Sequence, residues 1–233
     1  MDLLRIALVG GLVGLDTSAA FQIMLCQPMV GGALAGWAMG DLWGGALIGL
    51  LFQGLFLAEL PIGGRFFADG QQAAVQGAAS YVILHSQMSF DSGVSLLLSF
   101  FWAVPISIFY GYVIVWTRRW HERYLPLVDR FVQEDRRRDL NLLYWAAVVE
   151  NFLIYAILTA ALTGVAALIL TQIATVLSAG GWAERWGLTL RGGLLGAGCG
   201  VMYYMLAGAR KTLKVYLWLA AAATAGGIWA AGL

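Results

Sequence analysis

Apolar residues run through this chain in stretches too long and too continuous for the single buried stripe of a soluble helix. A helix needs about 20 apolar residues to cross the hydrocarbon of a bilayer. Residues 94–116, which include Pro105, and 188–209, which include Arg191, meet that length without strain. Residues 215–228 continue through small side chains and predict a last span. Residues 142–177 exceed the need, reaching about 54 Å as one helix. They predict either a tilted helix that starts below the membrane or a bent pair, with Glu150 and Asn151 near the interface.

The N-terminal part follows another pattern. Residues 3–15 are too short to span alone, and the apolar stretch 29–58 is broken at Gly40-Asp41. Glycine recurs at Gly31, Gly32, Gly36, Gly40, Gly44, Gly45, Gly49, Gly54, Gly63, Gly64 and Gly70. Gln53, Glu59, Arg65, Asp69, Gln71, Gln72 and Gln76 follow within a few turns. Short, interrupted helices with polar side chains at membrane depth persist only when packed in protein or lining a cavity. Transporters place their substrates at such broken helices. Each glycine taken singly fits close helix packing; the cluster together with its polar residues predicts a cavity. The fold class expected is all-α, a polytopic integral membrane protein with broken or re-entrant helices in the N-terminal third.

Composition agrees. Of 233 residues, 61% are apolar and 12% charged, with a mean hydropathy of +0.77. A soluble core of this size could not hide so much apolar surface. The net charge of +1 points to no nucleic-acid partner. Yet seven of the 14 cations are arginines between Arg118 and Arg138, in TRRWHERYLPLVDRFVQEDRRRDL. Trp120, Tyr124, Leu127, Val128 and Phe131 recur there at helical steps, which suits a helix lying along the membrane surface. The positive-inside bias assigns this stretch to the cytoplasm. Arg210, Lys211 and Lys214 make a second basic turn on the same side, so the C-terminus is expected to face outward. Three regions follow: 1–116, a membrane region with a candidate substrate cavity; 117–141, a cytoplasmic basic amphipathic linker; and 142–233, a C-terminal membrane region. The lone early cation Arg5 and the interruption at Asp16 argue against a cleaved signal peptide.

Catalytic chemistry finds no foothold. Cys26 and Cys199 lie in apolar runs and suggest neither a disulfide nor a zinc site. His85 and His121 have no ligand partner at metal spacing, and His121, beside Glu122 and Arg123, reads as a solvated loop residue. Ala38-Met39-Gly40-Asp41 lacks the leading glycine of an intramembrane aspartyl protease motif. Asp69-Gly70 begins like a CDP-alcohol phosphatidyltransferase motif and then departs. Gly-x-Ser-x-Gly and phosphate-loop patterns are missing. The expectation is a chain with no catalytic residues and no cofactor.

What remains is a row of polar side chains: Asp16, Gln22, Gln27, Asp41, Gln53, Asp69, Gln71 and Gln72. Their acceptors and amide donors are the inventory that holds a sugar's hydroxyls. Asp16 before Thr17-Ser18 also suits a helix cap, Asp41 an interfacial turn, and Asp69 a cap for a helix starting near Gln71. Gln53, among Leu50, Leu51, Phe52, Leu55 and Phe56, has no local cap to make and is the best single candidate to face a cavity. Glu59 and Arg65 suit pairing with each other. The substrate-binding candidates are Gln53, Asp69, Gln27, Asp16 and Gln72.

The stretch LDTSAAFQIMLCQPMVGGALAGWAMGDLWGGALIG, followed by LPIGGRFFAD, resembles the membrane IIC component of the mannose/fructose/sorbose family of the bacterial sugar phosphotransferase system. The shared elements are Gln27-Pro28, the small-residue run to Gly40-Asp41, the glycine-spaced Gly45 and Gly49, then Ile62-Gly63 and Asp69. The charged stretch Arg118–Asp139 resembles the family's cytoplasmic linker. The resemblance implies a multi-pass protein of the bacterial inner membrane with re-entrant hairpins. It implies a IID subunit that completes the sugar path, and IIA and IIB phosphocarriers that bring phosphate from phosphoenolpyruvate to a mannose/fructose/sorbose-type or amino sugar. An oligomer of IIC–IID pairs is implied as well. The phosphorylated histidines belong to those partners. Family polar positions carry over at Asp69, and at Gln53 where many members have glutamate. The end of the chain soon after Trp229 implies a missing or shortened final helix. Two other readings remain: a non-transporting or degenerate subunit with an assembly or regulatory role, and a small-molecule-binding membrane module that needs no IID.

Overall fold

The computed structural model describes residues 2–56, 68–180 and 196. Every regular element among them is helical: α1 (Asp2–Ser18), α2 (Pro28–Met39), α3 (Leu42–Phe56), α4 (Gly70–Val82) running into a π-helical turn (Ile83–Gln87), α5 (Ser92–Glu122), α6 (Leu125–Gln133) and α7 (Arg137–Ala179). The expected spans at 188–209 and 215–228, the second basic turn, the pairing of Glu59 with Arg65 and the final helix lie outside the described residues.

α2 and α3 have 12 and 15 residues, about 18 and 22 Å, so neither crosses a bilayer of about 30 Å. They fold back on each other as a hairpin. Pro28 opens α2, where its missing N–H costs nothing. Gly40 closes it in the left-handed conformation, φ 100°, which only glycine adopts freely. The Asp41 carboxylate then accepts from the Gly44 amide at 2.8 Å and starts α3. The two helices touch backbone to backbone. A Cβ on Gly45 would lie 2.5 Å from the Gly32 carbonyl and from the Gly36 Cα.

α4 is the hub. It packs against α1, α2, α3, α5 and α7, and all of it except Gln71 is buried. Its small residues, Ala73, Ala74, Gly77, Ala78 and Ala79, let five neighbours approach. The apolar core gathers around it, with Ile6, Val13, Ile48, Phe52 and Leu96 contributed by the surrounding helices.

α5 and α7 are the two described helices long and apolar enough to cross a membrane. α5 carries Pro105 inside it and continues to Glu122. α7 is one unbroken helix of 43 residues, about 64 Å long, which removes the bent pair and leaves the single long helix. Its outer face stays uncovered: Ile157, Leu168 and Val176 are 64%, 73% and 72% exposed. Apolar side chains left bare on that scale mark a face for the membrane or for a protein partner.

The arginine-rich stretch divides differently from the single surface helix expected. Trp120 and His121 belong to the last turns of α5, the chain turns at Tyr124, and α6 covers only Leu125–Gln133. Pro126 explains the restart, because it lacks the N–H that would continue α5. α6 buries no residue. Arg130 donates to Glu134 at 2.9 Å and, with Arg136, holds that carboxyl below its ordinary range. Glu150 ties the junction to α7. Its carboxylate accepts from Trp120, from Arg123 at 2.8 Å and from Tyr124 at 2.7 Å, with His121 at 3.5 Å. His121 is thus a half-buried helical residue and not a solvated loop residue.

Candidate functional site

Three small constructions place the polar side chains. At the end of α1, Asp16 is 2% exposed and accepts from the Ile23 amide at 2.6 Å and the Cys26 amide at 2.9 Å. It therefore does not cap α2; it pins the loop that leads to it. That loop holds Phe21, Gln22 and Met24 at φ 74°, 50° and 70°, left-handed conformations that cost of order 1–3 kcal/mol each unless the surroundings enforce them. The carboxylate supplies the enforcement. Its bonds deliver Cys26 and Gln27 to the start of α2.

There Gln27 meets Gln53. The glycine interlock brings α3 so close to α2 that a Cβ on Gly49 would lie 2.6 Å from the Pro28 carbonyl. One turn further along, Gln53 reaches across. Its Nε2 donates to Gln27 Oε1 at 3.1 Å, and its Oε1 accepts from the Met29 amide at 3.3 Å. Both glutamines are only partly buried. Gln53 makes no cap of its own helix; instead it serves the N-terminus of its neighbour.

The third construction opens α4. Asp69 is fully buried; its carboxylate accepts from the Gln72 amide at 2.9 Å, and its own amide donates to Ser107 of α5 at 2.8 Å. Asp69 therefore caps α4. Asp16 holds the amide of Cys26, the residue that precedes Gln27. Gln72 turns the other way. Its Nε2 donates to the Gly10 carbonyl at 2.9 Å and its Oε1 accepts from Thr159 at 3.4 Å.

Sequence reasoning missed the partners of that glutamine. One turn on, Gln76 donates to the Thr159 carbonyl at 3.0 Å and accepts from Thr163 at 3.4 Å, while the Tyr110 hydroxyl meets Thr159 Oγ1 at 2.9 Å. The available signal was the four-residue spacing of Gln72 and Gln76 on one apolar helix and of Thr159 and Thr163 on another. Asp41, bonded to Ser86 at 2.6 Å, sits at the far turn of the hairpin, where it fastens the π-helical end of α4.

Of the five candidates, Asp16, Gln27 and Gln53 collect around the start of α2, while Asp69 and Gln72 collect at the start of α4. The arrangement offers carboxylate and amide acceptors and amide donors at helix starts. These groups bond one another and the backbone of the helix starts they serve.

A family profile described as the PTS system sorbose-specific IIC component matches residues 1–225. A solved structure titled "Structure of membrane protein" superposes with a TM-score of 0.62 at 16% identity, covering 99% of this chain and 92% of that one. No curated protein matches. The structural likeness supports the all-helical membrane fold, and the profile covers nearly the whole sequence. The chain belongs to the sorbose-specific IIC family, membrane components of the sugar phosphotransferase system.

Proposed function

We propose that this chain forms, with a IID subunit, the translocation path for a mannose/fructose/sorbose-type or amino sugar across the bacterial inner membrane. IIA and IIB phosphocarriers would supply the phosphate, and the arginine-rich linker would face the cytoplasm where they act. The substrate would contact Gln53 and Gln27 at the start of α2, with Asp69, Asp16 and Gln72 nearby. The observation that carries this reading is the Gln27–Gln53 pair: two neutral amides, only partly buried, that this reading sets at membrane depth, beside the loop that Asp16 holds. Polar groups at that depth are expensive and mark substrate paths when they are not fully packed.

The test is sugar binding and uptake by the chain reconstituted with its IID partner. Gln53→Ala removes a donor and an acceptor, and Asp69→Asn removes charge while keeping the capping oxygen. Each is expected to weaken binding roughly tenfold with insertion intact. Wild-type binding in both variants would refute the site. Gln53 also supports a second reading, a non-transporting assembly subunit, because the family resemblance implies glutamate there. Under that reading Gln53→Glu gains uptake that the wild type lacks.

A further inference from the structure

Between α6 and the first turns of α7 lies a cleft of about 490 Å³, lined by Tyr124, Val128, Arg137, Leu140, Asn141, Leu143, Tyr144 and Ala147. It is remote from the glutamine pair and takes no part in the proposed sugar path. Its floor is apolar: Val128, Leu140, Leu143 and Ala147 are all half-buried. Arg137 and Asn141 stand at its edge one turn apart, and both are exposed. Asn141 makes no side-chain hydrogen bond among the described residues.

The surroundings fix its depth. Trp116 and Trp120 stack at 5.5 Å at the end of α5, and Tyr144 and Trp145 meet edge to face at 5.5 Å on α7. All four are partly or largely exposed. Tryptophan and tyrosine gathered on neighbouring helices in this way mark the membrane–water interface. The cleft therefore opens at headgroup level, with its apolar floor running toward the hydrocarbon. α6 lies beside it with Leu125, Leu127 and Val132 exposed, as an in-plane interfacial helix presents its apolar face.

The charge at this level is cationic and available. Arg118, Arg119 and Arg138 have no ion-pair partner among the described residues. Among the described residues Arg137 pairs with Asp135 alone, at 3.1 Å, with the two side chains 88% and 82% exposed. A pair so open to water contributes little, so the guanidinium can exchange it for a better-placed anion. A bidentate guanidinium suits a phosphodiester, and an apolar trough below it suits an acyl chain. We infer that this cleft is a binding site for one anionic phospholipid. The headgroup phosphate takes Arg137 and Asn141, and one acyl chain follows Val128, Leu140, Leu143 and Ala147. A free phosphate would leave the apolar floor unused.

The test is native mass spectrometry of the purified full chain titrated with phosphatidylglycerol, with phosphatidylcholine and inorganic phosphate as controls. One phosphatidylglycerol should be retained. Arg137→Gln should weaken it about fivefold, the effect of one near-surface cation, and Arg137→Lys should recover only part of the loss, since it keeps the charge but not the bidentate fork. Leu143→Trp, which fills the trough, should remove the adduct. Since Arg137 is exposed, its two variants keep the result readable even if Leu143→Trp perturbs folding. Equal retention by Arg137→Gln and wild type, equal binding of phosphatidylcholine, or displacement by inorganic phosphate would each overturn the assignment.

Discussion

Thr159 ties three buried side chains, from α4 and α5, to α7. Its hydroxyl meets Tyr110 and Gln72, and its carbonyl accepts from Gln76. Thr163 serves Gln76 alone, at 3.4 Å. Interhelical hydrogen bonds in membranes average about 0.6 kcal/mol with a ceiling near 1.7, and stranding a buried partner raises the cost. Thr159→Val should therefore destabilise the protein by about 1–2 kcal/mol and Thr163→Val by less than about 1. Thermal unfolding of both variants in one detergent measures the ranking, and a reversed order would contradict the hub. The same residues show what a sequence reveals at this scale. Asp69 as a cap was legible, because Asp before Gly-Gln-Gln has few other local uses. The role of Asp16 was half legible: a carboxylate at the end of an apolar helix needs donors, but which ones depends on a loop with three left-handed residues that no local pattern announces. Thr159 was not legible at all, since a threonine in an apolar helix most often bonds its own preceding turn.

At the level of elements, the glycine spacing translated directly into structure. Gly32 and Gly36 face Gly45 and Gly49, and a Cβ on Gly36 would sit 2.6 Å from the Gly45 Cα. Backbone cannot move aside as a flexible side chain can. Gly45→Val should therefore separate α2 from α3, move Gln53 off Gln27 and destabilise the hairpin by more than about 3 kcal/mol, beyond the usual range for overpacking. Gly164 of α7 has open space where its Cβ would be, so Gly164→Ala should be neutral or slightly stabilising, as expected for Gly→Ala within a helix. Expression and gel-filtration behaviour of the two variants read the contrast, and equal behaviour would show that the interlock is dispensable. The long α7 was legible from its apolar length. The π-helical turn at Ile83–Gln87 was not, because it depends on tertiary contacts, among them Ser86 with Asp41 and Gln87 with the Met39 carbonyl.

At the scale of the whole described structure, α4, a buried small-residue helix, is packed by α1, by the short hairpin of α2 and α3 and by the long apolar helices α5 and α7. The length of the apolar runs, the glycine spacing and the break at Gly40-Asp41 separated those two kinds of element, because a spanning helix needs about 20 apolar residues whereas a hairpin packed in protein can be short and interrupted. What they could not reveal was that α4, whose polar glutamines gave it an ambiguous pattern, would be the most enclosed element of all. Gln72 and Gln76 are tolerated there because Gly10 of α1 and Thr159 and Thr163 of α7 engage their side-chain amides. The central claim is that this enclosed bundle is one part of a sugar-transporting pair. The most direct measurement is affinity purification of the full chain from its native membrane, with identification of what remains bound after detergent exchange. Recovery of a IID-type membrane subunit in fixed proportion is the result predicted; recovery of the chain without one, under conditions that keep it folded, would contradict the account.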